Sequence, residues 1–190
     1  MSLSPAAIDA AHLIDRLDRL ARSGAAMGGI NPAQWEALRF LARANRFSRT
    51  PAALAEYLGS TRGTVSQTLI ALEQKGFIER RRSPRDGRSI DLALTRQGRK
   101  AIEGDPILDL AETIAAIGPE ARVLAEMLRT TVQTLITRNG GKAFGACHTC
   151  RHFRRNVGSP GKPHHCALLD EALSDRDSRG ICVEQERAVA

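Results

Sequence analysis

The sequence predicts a mainly α-helical chain with one small β-hairpin, continued by a short tail of different composition. Three observations predict it. Apolar residues recur three and four apart through most of the first 140 positions, the helical period. The period changes over residues 77–94, where two short extended runs flank a turn-forming stretch. All four cysteines lie in the last 44 residues, after the helical pattern has ended.

Taken in order, residues 7–22 read as a helix with Leu13, Leu17 and Leu20 on one face and charges between them, broken by Ser23-Gly24 and Gly28-Gly29. Asn31 caps a second helix with Pro32 at its first position, running through Trp35, Leu38 and Leu41. Thr50-Pro51 opens a third, short helix with Leu54 and Leu58 one turn apart, and Gly59 ends it. A fourth helix starts at Ser60 or Thr61 and runs to about Lys75, with Val65, Leu69 and Leu72 as its buried stripe and Gly76 as its stop. Phe77–Arg82 and Ser89–Leu94 then pair as a hairpin around the basic tip Ser83-Pro84-Arg85-Asp86-Gly87-Arg88. Thr95 caps the next helix, which Gly104-Asp105-Pro106 interrupts. Apolar positions resume at Ile107, Leu110, Ile114 and Ile117. Gly118-Pro119 opens a last helix striped by Leu124, Leu128 and Leu135 and ended by Asn139-Gly140-Gly141.

Charge narrows the function. Residues 46–100 hold twelve basic and five acidic side chains, a net equal to the whole-chain +7, whereas residues 101–140 hold three and six. A concentrated basic block on a folded scaffold is what neutralising phosphates requires. No apolar run approaches the roughly 20 residues of a membrane span, and the first residues lack the apolar core of a signal peptide, so the expected compartment is the cytoplasm. No Ser-His-Asp set, phosphate loop, dinucleotide fingerprint or paired catalytic carboxylate appears at a motif spacing, so an enzyme is not expected.

A short helix, a tight glycine turn, a second helix and a basic hairpin make a winged helix-turn-helix. Its second helix fits the major groove, and the first turns must carry short polar or forked side chains that reach base edges. Thr61, Arg62, Thr64, Ser66 and Gln67 occupy those positions, while Val65 and Leu69 face inward. Arg62 suits a guanine edge and Gln67 an adenine. Arg85 and Arg88 of the hairpin tip would reach a phosphate or the adjacent minor groove, with Asp86 fixing the Arg88 guanidinium.

Leu54–Ser66, then Leu72–Arg80, then Asp86-Gly87-Arg88 and Leu94-Thr95 resemble the multiple antibiotic resistance regulator (MarR) family over roughly residues 8–140. The resemblance implies a homodimeric transcription factor on pseudo-palindromic double-stranded DNA operators, often a repressor released by a ligand or by oxidation. It implies that the outer helices, here 7–22 and 96–138, form the dimer interface around the reader 50–95. It also leaves room for a small-molecule pocket between the dimer helices, for which His12, Met27 and Trp35 are candidates, although a core or surface role suits each.

The family pattern stops before residues 141–190, which form a second unit. Cys147, Cys150, Cys166 and Cys182 follow C-x2-C-x15-C-x15-C. A disulfide framework does not suit a reducing cytosol, and a catalytic CxxC needs a βαβ setting that is missing. So few apolar residues lie between Cys147 and Cys182 that a metal staple is expected. Four thiolates suit a [4Fe–4S] cluster or a structural Zn2+. A zinc ribbon usually shows two CxxC knuckles, whereas one CxxC followed by two separate cysteines resembles the high-potential iron–sulfur protein pattern and small cluster modules with a CxxCxxF start, here Cys147, Cys150 and Phe153. His148, His152, His164 and His165 read as solvated loop residues, since the cysteines complete the ligand count. The expected function is therefore a DNA-binding regulator whose tail senses redox state, iron or nitric oxide, its dimer geometry altered by the centre. The alternative is a regulator with a purely structural zinc site, answering to a small molecule.

Overall fold

The computed structural model describes residues 3–23, 29–83, 87 and 89–187. Eight helices and seven short strands follow one another among them. Helix α1 (Pro5–Ser23) precedes α2 (Pro32–Arg43), which begins where its sequence demands. Asn31 accepts from the Gln34 amide at 2.9 Å, and Gln34 returns the bond to the Asn31 N–H at 3.2 Å. The short α3 (Pro51–Tyr57) is capped by Thr50, and α4 (Arg62–Gln74) by Thr61. Gly59 and Gly76 both take positive φ, the left-handed turn that only glycine adopts cheaply, and so set the α3–α4 turn and the exit to the hairpin.

Strands β1 (Ile78–Arg82) and β2 (Ile90–Leu94) are antiparallel, with Ile78 opposite Leu94 and Arg82 opposite Ile90. Thr95 caps α5 (Arg96–Glu103) while its hydroxyl donates to the Gly76 carbonyl at 2.6 Å. A Cβ at Gly98 would lie 2.0 Å from the Phe77 carbonyl oxygen, so α5 can press on the strand only because residue 98 is glycine. Helices α6 (Ile107–Ala115) and α7 (Glu120–Arg138) complete the helical part.

One core lies between α2, α3, α4 and the hairpin: Trp35, Leu38, Phe40, Leu41, Leu54, Val65, Leu69, Leu72, Ile78 and Leu92 are all nearly inaccessible. The stripe expected for α4 is therefore its buried stripe. The outer helices behave differently. Leu13, Leu17 and Leu20 of α1 are 53%, 43% and 60% exposed, and Val123, Met127 and Leu135 of α7 are 59%, 64% and 55% exposed. Among the described residues, these apolar side chains keep large exposed faces within one chain.

The tail wraps onto the loop between α2 and α3. β3 (Gly145–Ala146) pairs with β7 (Ile181–Cys182), and Ala44 extends that ribbon through a parallel bridge to Ile181. β4 (Phe153–Arg154), β5 (His164–Cys166) and β6 (Glu171–Leu173) make a three-stranded sheet, followed by α8 (Asp175–Arg179), capped by Ser174. Ile181 enters the main core, and Phe47 of the α2–α3 loop joins Cys147, Leu173 and Cys182 in a second, smaller one.

Candidate nucleic-acid interface and cysteine cage

The first turns of α4 stand clear of the core. Thr61, Arg62, Thr64 and Gln67 are exposed, and Ser66 is half-buried beside Val65. The Thr61 hydroxyl is used twice locally: it accepts from the Thr64 amide at 3.1 Å and lies 2.9 Å from the Thr64 hydroxyl. Those two threonines therefore order the helix start, and Arg62 and Gln67 are the long side chains that its first turns leave exposed. The hairpin-tip residues Arg85, Asp86 and Arg88 lie outside the described residues, as does Met27. Of the other pocket candidates, Trp35 is core, 3% exposed with the Arg39 guanidinium 5.7 Å from its ring centre, and His12 is on the exposed surface of α1.

Part of the basic block is engaged internally, which a charge count does not reveal. Arg80 meets Glu73 at 3.2 Å, and Arg46 reaches into the tail. Its guanidinium contacts Asp177 at 3.1 Å, Glu171 at 3.2 Å and the Ala172 carbonyl at 2.6 Å, and lies over the Phe47 ring.

The four cysteines, far apart in sequence, line one small cavity with Phe153, Leu168, Leu173 and Glu184. Cys147 and Cys150 bracket a 3₁₀ turn in which the Cys150 N–H donates to the Cys147 carbonyl at 2.9 Å. Cys166 and Cys182 come from strands β5 and β7 rather than from a second knuckle. All four are free thiols. Two N–H groups aim at sulfur: the Asn45 carboxamide at Cys147, 3.1 Å away, and the Glu186 amide at Cys150, 3.5 Å away. Interaction with the Cys182 sulfur, together with burial, pushes the Cys147 thiol up, whereas interaction with Cys147 pulls Cys182 down to about 6. Among the described residues, no three or more His, Cys, Asp or Glu side chains are arranged, as they stand, to hold a metal ion.

His164 differs most from the solvated loop residue expected of it, whereas His148 stays exposed. His164 is buried, packs its ring 4.9 Å from Phe153, approaches Asp175 through Nε2 at 3.1 Å, and accepts from the Asn156 amide at 3.3 Å. His148 meets the Ser178 carbonyl at 3.1 Å, and His165 lies 3.2 Å from Asp170. They frame the tail's loops. A histidine in a cysteine-rich segment with few apolar residues has no other filler to compete with it, and so becomes structure.

Sequence reasoning missed the loop Asn45–Arg49, whose polar, basic composition reads as a solvated connector. In the fold Asn45 and Ser48 are buried. The available signal was the length of the connection: five polar or aromatic residues between two capped helices need partners for their backbone groups.

Comparison with known proteins supports the helical part. Residues 28–89 match the family model described as the MarR family. The organic hydroperoxide resistance transcriptional regulator of Bacillus subtilis (strain 168) is 32% identical over 90 residues, which is 45% of this chain and 60% of that protein. The chain thus spans about three fifths of that relative's length. Among solved structures, wild-type MarR from E. coli in its apo form aligns with a TM-score of 0.52 at 23% identity, covering 70% of this chain and 98% of that one. A MarR transcriptional regulator from Methanosarcina mazei aligns at 0.54 and 22%, covering 67% and 96%. BldR from Sulfolobus solfataricus aligns at 0.54 and 18%, covering 70% and 99%. The fold is the MarR winged helix, mainly helical with small antiparallel sheets, and each of these structures covers about two thirds of this chain.

Proposed function

We infer that a chain carrying a MarR-family segment at residues 28–89 and the MarR fold around it is a homodimeric, sequence-specific transcriptional regulator of double-stranded DNA, with no catalytic role. One observation carries this reading: α4 buries Val65, Leu69 and Leu72 while projecting Arg62 and Gln67 into solvent, next to a basic hairpin. That is the arrangement a major-groove reader needs, because the helix must be braced from behind to hold forked side chains at base edges. The B. subtilis relative, a transcriptional regulator by name, supports the reading. So do the exposed apolar faces of α1 and α7, which a second copy of the chain would cover. No helix of the described residues is long and apolar enough to cross a membrane.

The tail is read as a thiolate-held metal centre, [4Fe–4S] in preference to zinc, through Cys147, Cys150, Cys166 and Cys182. The donor set suits such a group, although the sulfurs as they stand do not form a metal site. Four sulfurs line one apolar-walled cavity, Phe153 shields it, and two N–H donors point at sulfurs, as they do where thiolates carry charge. One knuckle and two strand-borne cysteines depart from the paired knuckles of a zinc ribbon. A bound cluster would supply sensitivity to oxidants, iron supply or nitric oxide. The chain's own residues hold the sulfurs and bury Cys147 and Cys182 away from water.

The test has two arms. Selection of binding sites from random duplexes should yield a pseudo-palindrome, and recovery of no common sequence would overturn the DNA reading. Protein prepared without oxygen should be brown, with iron and sulfide in near-equal counts. A colourless protein with about one zinc per chain would move the tail to the structural alternative.

A further inference from the structure

Two of the four cysteines are held by the loop that starts the reading unit. The Asn45 carboxamide donates to the Cys147 sulfur at 3.1 Å, and its oxygen accepts from the Phe47 and Ser48 amides, each at 3.0 Å. The Asn45 backbone N–H donates to the Ile181 carbonyl at 2.9 Å, and the Ser48 hydroxyl accepts from the Val183 amide at 2.9 Å. These two bonds bracket Cys182. The approach is close enough that a Cβ at Gly180 would meet the Asn45 nitrogen at 2.7 Å.

The far end of the same loop belongs to the reader. The Arg49 carbonyl accepts from the Leu92 amide of β2 at 2.7 Å, so the loop is hydrogen-bonded to the wing. Thr50 is the cap of α3, and Phe144 of the tail packs edge-on against Tyr57 of that helix, with ring centres 5.3 Å apart. A six-residue stretch therefore has sulfur at one end and both α3 and the wing at the other.

We propose that Asn45 is the positioning residue through which the state of the cysteine cage sets the order of the DNA-reading unit. The inference rests on the reading of the tail as a sensory metal centre. An amide N–H donates more strongly to a metal-bound thiolate than to a thiol. A loaded cage thus locks the carboxamide, whose other face fixes the Phe47 and Ser48 amides and with them the Arg49–Leu92 pairing and the Thr50 cap. Emptying the cage weakens the first bond and releases the loop. Signalling through this route acts inside each protomer, on the placement of α3 and the wing. It needs no change in the dimer helices.

The experiment uses the full chain, isolated without oxygen with its metal and sulfide counted, and the same protein stripped by chelator under reducing conditions. Operator affinity of native protein should fall on stripping by about tenfold, within the range of ordinary couplings between sites. In Asn45→Ala and Asn45→Asp the metal content should stay native, because all four thiolates remain, while the loaded-to-stripped affinity ratio falls toward one. The aspartate keeps the oxygen that accepts from Phe47 and Ser48 and replaces the donor to sulfur with an acceptor. A merely structural role would lower both affinities and leave their ratio unchanged. Hydrogen exchange on native protein gives a readout independent of any variant: stripping should expose the Phe47, Ser48 and Leu92 amides. A native ratio well above one that persists in both variants, or unchanged Leu92 exchange, overturns the proposal alone. A native ratio of one, or a protein with no metal, overturns the sensory reading and this proposal with it.

Discussion

Arg62 is the residue on which sequence readout is expected to turn. It stands exposed one position after the cap of α4, and Arg62→Ala should cost about 1–3 kcal/mol at the selected operator and relax preference at one base step. Arg85→Ala, in the hairpin tip, should instead lower affinity for all sequences alike and flatten its salt dependence, which titrations of binding against salt separate. Gly98 is a residue of the opposite kind, where the absent side chain matters. Gly98→Ala drives a methyl into the Phe77 carbonyl and should destabilise the protein by about 3 kcal/mol or more, read as a drop in the denaturation midpoint. The interaction of Cys147 with Cys182 holds the Cys182 thiol below the ordinary range and the Cys147 thiol above it. In stripped, reduced protein carrying Cys150→Ser and Cys166→Ser, ultraviolet thiolate absorbance should therefore rise by one sulfur near pH 6, well below the ordinary thiol value of 9.0, and by the second only in strong alkali. Two steps near the ordinary value would show that the sulfurs do not interact.

At the scale of elements, the caps explain why helices begin where they do, and they are local. Asn31 with Gln34, Thr50, Thr61 and Thr95 each satisfy an amide three residues ahead, so each start is written in a four-residue window. The corner between α5 and α6 is different. Asp105 is 4% exposed in its side chain and takes both Arg39 nitrogens of α2, at 2.6 and 2.7 Å, while also accepting from the Ile107 amide at 3.0 Å. Removing it leaves Arg39 without its carboxylate and α6 without its first acceptor. Asp105→Ala should cost roughly 2–4 kcal/mol, somewhat below the full penalty for breaking a buried pair because Arg39 keeps some solvent. Trp35, the single tryptophan, packs in the core with Arg39 beside its ring and gives the fluorescence signal for that denaturation curve.

For the whole molecule, the question is what covers α1 and α7. Leu17 and Met127 are large, apolar and exposed in one chain, and a homodimer buries such faces. Leu17→Glu combined with Met127→Glu should sediment as a monomer with an intact helical spectrum and lose binding to a two-half-site operator, since half-site spacing demands a linked pair of readers. A double variant that stays dimeric would place the interface elsewhere. The tail and the helical part also meet at this scale. Ile181 fills a place in the main core, so Ile181→Ala should lower overall stability by about 2–5 kcal/mol rather than loosen the tail alone.

In the helical part the order of elements, the caps Asn31, Thr50 and Thr95, the buried stripe of α4 and the exposure of its first turns were legible in the sequence, because each depends on a period or a capping residue within a few positions. The four-cysteine set was legible as a set for the same reason: spacing and rarity are sequence properties. What only the tertiary structure decided is where the tail lies. Long-range contacts carry no local signature, so nothing in the neighbourhood of Asn45 announces a sulfur 102 residues away, nor does Arg46 announce the carboxylates of Glu171 and Asp177. The charge count read Arg46 as a contribution to the DNA-facing excess, and folding gives it to the tail. His164 read as a solvated loop residue, and folding buries it on Phe153. A chain fixes by itself what short-range hydrogen bonds and apolar periodicity can specify. Which surfaces then meet is settled by packing, where the apolar tail residues and the buried polar loop could satisfy one another only by coming together.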